Sequence, residues 1–243
     1  MAKLAGDHIQ VLVDGYELTG DSNKLMFDDS VNLLECTVFG DAVKKYIGGQ
    51  RKMSLEHSGY LNADSARSHP VLRGISVNGA VSILVGQNTD PAVGDPMFSL
   101  LTQQEKYQAM PEVGKVIPFN AKFANRGEIG GWGVALAVPT TFTNTANGTA
   151  VNHGASSANG GAGFLHVLQA AASDTYAIVI EGSATGAFGG EESTLATFSA
   201  DASALASERV SIAGTIPQYV RWKATRTGSA GDTVEIAIAL IRF

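Results

Sequence analysis

The chain has 243 residues, a formal net charge of −6 and a single cysteine, Cys36. One thiol excludes an intramolecular disulfide, and the acidic balance argues against sequence-independent binding of DNA, which depends on clustered Lys and Arg. Charged residues make up only 16% of the chain, against roughly 25% in ordinary soluble proteins, and this low charge favours a surface covered by self-assembly.

Short apolar and β-branched runs recur along the first half of the chain and are separated by turn signals such as Asn78-Gly79 and Asp90-Pro91. This pattern is typical of an all-β sandwich or barrel with one or two short helices. The predicted helices cover 41–47 and 97–104. The predicted strands cover 9–13, 32–39, 52–60, 71–75, 80–84, 106–109, 115–123 and 132–138.

The segment 27–61 carries the most specific pattern, in which a strand, a polar break, one helical turn and a second strand follow one another. It resembles the major tail tube proteins of long-tailed bacteriophages, and the resemblance covers about the first 137 residues. The opening run 11–19 resembles the first strand of that family. The residues that carry the motif are Glu35, Thr37, Phe39, Gly40, Asp41, Gly49 and Gly59.

The resemblance implies a structural virion protein that self-assembles into stacked rings, hexameric or trimeric, and forms a tail tube through which DNA passes without specific binding. It implies assembly in the host cytoplasm, a place in the virion tail, and contacts with other tail or head-tail proteins. Ring or stacking contacts are expected at Asp28, Asp29, Phe39, Asp41 and Trp132. For Trp132, a core position is an equally good interpretation.

Residues 140–163 mark the clearest change in composition, because they are rich in Thr, Asn, Ser, Ala and Gly and contain no Asp, Glu, Lys or Arg. Such a segment is predicted to be a polar linker or a long loop. It divides the chain into a tail-tube-like β domain over 1–139 and a C-terminal β-sandwich over 164–243.

The second unit has predicted strands at 164–168, 176–183, 193–198, 209–212, 219–225 and 233–242. Its layout resembles the jelly-roll decoration modules fused to phage structural proteins, which are akin to carbohydrate-binding domains. It lacks the aromatic platform of the sugar-binding members. The residues that carry this resemblance are Ile178, Ile180, Ser183, Leu195, Phe198, Tyr219, Val220, Arg221 and Trp222.

No arrangement of residues predicts an enzyme, a metal site or a cofactor. Asp28 and Asp29 are adjacent, so in an extended chain they point apart, and no two histidines have the i, i+4 spacing of a zinc site. No G-x-S-x-G turn and no apolar run long enough to span a membrane occurs. Besides a tail tube protein, a capsid decoration protein and a glycan-binding adhesin remain open.

Overall fold

The computed structural model describes residues 6–87 and 89–243, and it is all-β, as the sequence predicts. The single α-helix among them is α1 (Ser68–Leu72), and one 3-10 turn covers Thr19–Asp21. The first eight strands are β1 (Ile9–Val13), β2 (Tyr16–Glu17), β3 (Ser22–Glu35), β4 (Tyr46–Tyr60), β5 (Ala80–Val85), β6 (Pro96–Ala109), β7 (Pro118–Asn125) and β8 (Gly131–Phe142).

The C-terminal half is built in the same way, from short antiparallel strands. Its strands are β9 (Ala146–Asn147), β10 (Val151–Asn152), β11 (Gly161–Gln169), β12 (Thr175–Ser183), β13 (Ser193–Thr197), β14 (Ala206–Ile212), β15 (Tyr219–Thr227) and β16 (Val234–Arg242).

The strands form a central sheet with a smaller sheet on either side. The central sheet has the order β14-β11-β16-β8-β6-β5-β1-β2. Strand β6 then leaves it, and its second half joins β7, β4 and β3 in what we call the hairpin sheet. Strands β10, β15, β12 and β13, with β9 beside β15, form the outer sheet.

Three buried clusters show that these sheets stack as four layers. The first cluster lies between the hairpin sheet and the β1–β5–β6 part of the central sheet, and Phe98 and Phe123 belong to it. The second lies between the β8–β16–β11 part of the central sheet and the outer sheet, around Ile238 and Trp222. The third lies between the two parts of the central sheet, which curls so that they face each other.

Strand β16 shows how the sequence produces this stacking. Its large residues Ile236, Ile238 and Leu240 alternate with small ones, so the large residues join the second cluster while Ala237 and Ala239 face the third. Because successive side chains in a strand point to opposite faces, the alternation gives β16 one face of large side chains and one face of small side chains. The neighbouring layer can approach the face of small side chains more closely.

The two predicted helices are wrong. Residues 97–104 lie in β6, where Met97 and Leu100 are buried on opposite faces, and residues 41–45 form only bends and irregular backbone before β4 begins at Tyr46. The predicted strand at 71–75 is also wrong, because α1 ends at Leu72. A short apolar run has no periodicity that separates a buried strand from a buried helix.

The segment 140–163 is largely irregular, but its first residues complete β8 and its last ones begin β11. Between them, β9 and β10 pair with β15 at the edge of the outer sheet. The division at 139 and 164 remains a proposal: each half has a core cluster of its own, and the third cluster joins the halves.

Candidate assembly surface

Strands β3 and β4 form a long hairpin whose outer part has no neighbour among the described residues. Pairing between β4 and β7 begins at Ser54, so residues 30–52 extend past the end of β7. The apolar side chains on this arm are exposed, which is unusual for a run that looks like a core strand in sequence. They are Val31, Leu33, Leu34, Val38, Phe39, Val43, Tyr46 and Ile47.

The tip of this hairpin arm is a tight turn that its own polar groups hold together. The backbone N–H of Asp41 donates to the Val38 carbonyl at 3.1 Å, and the Val38 N–H donates back to the Asp41 carboxylate at 3.0 Å. Gly40 stands at the third position of the turn with φ +98°, a value that favours glycine. Phe39 at the second position is fully exposed, at 108% of its reference area.

Asp41 therefore stabilises a turn, and no helix follows it. Its carboxylate also forms an ion pair with Lys45, and this hydrogen bond, followed by the one from Val38, lowers the pKa of Asp41. A second pair joins Lys44 to Glu35 at 3.1 Å. The tip is thus a fixed platform that presents Phe39 to solvent.

The base of the arm carries a two-pronged ion pair. The Arg51 guanidinium donates from Nε to one oxygen of Asp29 at 2.6 Å and from Nη2 to the other. This pairing lowers the pKa of Asp29 and raises that of Arg51. Asp28 points to the opposite face of the sheet, because its neighbours alternate along the strand.

A groove of about 940 Å³ lies beside this ion pair, beyond the end of β7. Arg51 and Lys52 of the arm line one side of it, and Glu128 and Ile129 of the β7–β8 connection line the other. Glu128 forms an ion pair with Arg209, with 2.8 Å between Nη1 and Oε2, and this pair links the β7–β8 connection to the C-terminal half.

Trp132 lies at the side of the N-terminal sandwich and is half exposed, at 53%. Its ring is 5.5 Å from Phe98 and 5.6 Å from Phe27, both measured between ring centroids. The indole therefore covers the open side of the first cluster and still presents an apolar surface, and its role as an interface contact stays a prediction.

The hairpin sheet has unpaired edges on both sides. Strand β3 pairs only with β4 among the described strands, and the last residues of β6, from about 105 to 109, have only β7 beside them. The sheet has four antiparallel strands, so β3 and the end of β6 run in opposite directions. Unpaired edges of this kind are templates for further strand pairing.

The face of the hairpin sheet that points away from the core is polar and of mixed charge. Lys122 lies at 3.0 Å from Glu105, and this hydrogen bond raises the pKa of Lys122, with smaller contributions from Glu56 and Asp28. The other charged residues on this face are Lys24, Lys52 and Lys106.

The opposite end of the hairpin sheet also carries an apolar turn. The Lys115 N–H donates to the Glu112 carbonyl at 3.2 Å, and their side chains pair at 2.8 Å. Gly114 has φ +79°, and Val113 before it is fully exposed, at 102%. Both ends of one sheet thus present a rigid turn with an apolar residue at its second position.

Neither the histidines nor the carboxylates form a chemical site in the described part of the chain. No group of three His, Cys, Asp or Glu residues there has a metal-binding arrangement. His57 and His166 are completely buried, and burial lowers their pKa values to about 4 and about 3. His57 shares one hydrogen bond with Ser22, and His166 shares one with Ser82.

Within residues 6–87 and 89–243 no helix has the length and hydropathy of a membrane span.

The five residues expected at an interface fall at three separate places in the structure. Asp28 and Asp29 lie at the base of the arm, and Phe39 and Asp41 at its tip, about 20 Å farther along β3. Trp132 contacts Phe27 beside that base. Sequence reasoning missed the exposed aliphatic residues of the arm, as well as Arg51, Lys52 and Val113, because each is ordinary for a strand or turn.

No protein-family model and no curated protein matches the sequence. Structural similarity is found to the virion of a native gene transfer agent particle, at 12% identity over 53% of this chain and 98% of that one, with a TM-score of 0.41. A tail structure of an empty gene transfer agent particle, with C6 symmetry, matches at 14% identity over 52% and 96%, with a TM-score of 0.39. The Dit protein of phage SPP1 matches at 10% identity over 96% and 99%, with a TM-score of 0.34.

Proposed function

We propose that this chain is a structural protein of a phage-type virion that assembles into stacked rings, hexameric or trimeric, which form a tail tube. The proposal is supported mainly by one observation: the hairpin sheet has free antiparallel edges on both sides and a projecting apolar arm. Its resemblance in sequence to tail tube proteins, through the motif around Phe39-Gly40-Asp41, points the same way.

Ring closure follows from the strand order. When β3 of one copy lies beside the end of β6 of the next, the pairing is antiparallel, like every other pairing in the hairpin sheet. The same contact can then repeat around a ring, and closure removes every free edge of that sheet.

The lumen of such a ring would be lined by the polar face of the hairpin sheet. Glu105, Glu56 and Asp28 lie near Lys122, so carboxylates offset part of the positive charge that this face would present to a passing phosphate backbone. DNA would therefore pass without specific binding.

Stacking of rings would use the arm. Phe39 and Asp41 at its tip, with Asp28, Asp29 and Trp132 at its base, are the proposed ring and stacking contacts. Burying exposed aliphatic residues on another copy would contribute about 25 cal/mol for each Å² of apolar area. Other tail or head-tail proteins would meet the same surface at the ends of the tube. The proposal includes a place in the virion tail and assembly in the host cytoplasm.

Electron microscopy of the purified protein, with analytical ultracentrifugation over a concentration series, tests the proposal. The wild-type chain should form rings and stacks of rings. The combined variant Val38→Ser, Phe39→Ser and Val43→Ser should remain folded and form no stacks. The matched control, Val93→Ser with Leu205→Ser, removes exposed apolar residues elsewhere and should assemble normally.

A chain that sediments as a monomer at every concentration would contradict the proposal. A small oligomer that binds only to added capsids would instead indicate a decoration protein, and binding on a glycan array without polymers would indicate an adhesin.

A further inference from the structure

We propose that the turn Glu112–Lys115 of one copy inserts into the groove beside Arg51 and Lys52 of a second copy. This inference rests on the proposed function, because it specifies how one ring would contact the next. It names the two surfaces that meet, and neither of them belongs to the tip of the arm.

The turn is built as a projecting knob. Its closing backbone hydrogen bond and Gly114 set its shape, whereas the exposed Glu112–Lys115 ion pair adds little to it, and Val113 stands fully exposed at its apex. Met110 and Val116 on either side are also exposed, at 44% and 65%. An apolar group that projects in this way, with charges around it, is typical of a contact surface.

The groove is the matching recess. It forms because β7 stops at Asn125 while the arm continues, so the edge of β4 away from β3 has no partner strand among the described residues from Tyr46 to Met53. Its apolar lining comes from Val31, Met53, Ala124 and Ile129, and its charged residues stand at the two sides.

The knob and the groove lie at opposite ends of the same strand. Strand β7 begins directly after the turn and ends at the groove, so its eight residues separate the two by about 25 Å. A second copy displaced along the strand direction would therefore bring its knob to this groove. Such a contact joins two different surfaces and can repeat without limit, as a stack of rings requires.

The charges of the two surfaces are complementary. Lys52 forms no ion pair with any described residue, so it is the charge on the arm side of the groove that attracts Glu112. Arg51 beside it is already paired with Asp29, and Glu128 on the other side is paired with Arg209. Opposite charges at the rim of an apolar contact fix its register and suppress wrong docking.

A charge reversal tests this arrangement. Glu112→Lys alone and Lys52→Glu alone should each raise the concentration needed for stacking by about tenfold or more, since each places like charges together. The double variant Glu112→Lys with Lys52→Glu should restore stacking. Both side chains are exposed, so circular dichroism and thermal unfolding of all three variants should match the wild type. If either single variant stacks normally, or the double variant stays defective, the inference is wrong.

Disulfide trapping identifies the occupant of the groove directly. In a Cys36→Ser background, Val113→Cys with Ile129→Cys should form cross-links between copies, seen as a ladder on a non-reducing gel. If Phe39→Cys with Ile129→Cys gives the ladder instead, the arm tip occupies the groove and the inference is overturned. Normal stacks of wild-type protein with no effect of either test would leave the proposed function intact, whereas no stacks of wild-type protein would contradict the proposed function itself.

Discussion

Replacing Phe164 by alanine should destabilise the whole chain, because this ring fills the interface between the two halves of the central sheet. Phe164 is completely buried in the third cluster, where its neighbours include Ala135, Ala237 and Ala239. Alanine side chains cannot extend into a vacated space, so most of the cavity would persist. The expected loss is therefore about 5 kcal/mol, at the upper end of the range of roughly 3–5 kcal/mol for Phe→Ala in a core.

Differential scanning calorimetry and urea denaturation would measure this effect. For a chain of this length, roughly 2–4 °C of Tm is lost per kcal/mol, so Phe164→Ala should lower Tm by about 10–20 °C in a single transition. Phe39→Ala is the matched control, because that ring is fully exposed and its loss should leave Tm unchanged. Two separate transitions, of which only one shifts, would refute the idea that the third cluster couples the halves.

Three further measurements probe other parts of the structure. Ending the chain at Pro139 removes the β16 partner of β8 and exposes one face of the third cluster, so this fragment should aggregate when expressed; a soluble, cooperatively folded fragment would show that the N-terminal unit is independent. Burial lowers the pKa of His57 to about 4 and that of His166 to about 3, so the unfolded imidazoles protonate first as the pH falls below about 6.5. The contribution of these two histidines to the free energy of unfolding should be nearly constant from about pH 7 to 9 and roughly 4 kcal/mol lower at pH 5, by urea denaturation; a flat profile would contradict the buried neutral state. Glu181→Ala should cost about 1–3 kcal/mol by the same method, since it leaves the Arg221 guanidinium, now 3.0 Å from the carboxylate, without its partner, and Glu181→Gln should cost less.

The sequence predicts the all-β class and most strands of the C-terminal half, because runs such as the one in β16 combine β-branched residues with turn signals at both ends. It fails at 41–47 and 97–104, where local propensity allows either helix or strand and the tertiary partners decide. Strand β6 is buried on both faces over its first half, and this removes the alternation that would have marked it as a strand.

Only part of the candidate surface can be predicted from the sequence, for a related reason. The run from Val31 to Leu34 has the composition of a core strand. The local sequence does not distinguish an apolar strand that packs inside its own subunit from one that stays exposed on the subunit surface, as this one does. Val113 has the same ambiguity, since a valine in a turn is unremarkable until the structure shows it without neighbours. Only the three-dimensional position of these residues reveals them as exposed.

The layer order connects the fold to the proposed assembly. The hairpin sheet and the outer sheet are the first and fourth layers, so their free faces point in opposite directions. If the polar face of the hairpin sheet lines a lumen, the outer sheet must lie on the outside of the ring. The alanine-rich third cluster then joins the C-terminal sandwich to the side of the N-terminal sandwich that faces away from that polar face. On the proposed function, the outer sheet would therefore decorate the outside of the tube.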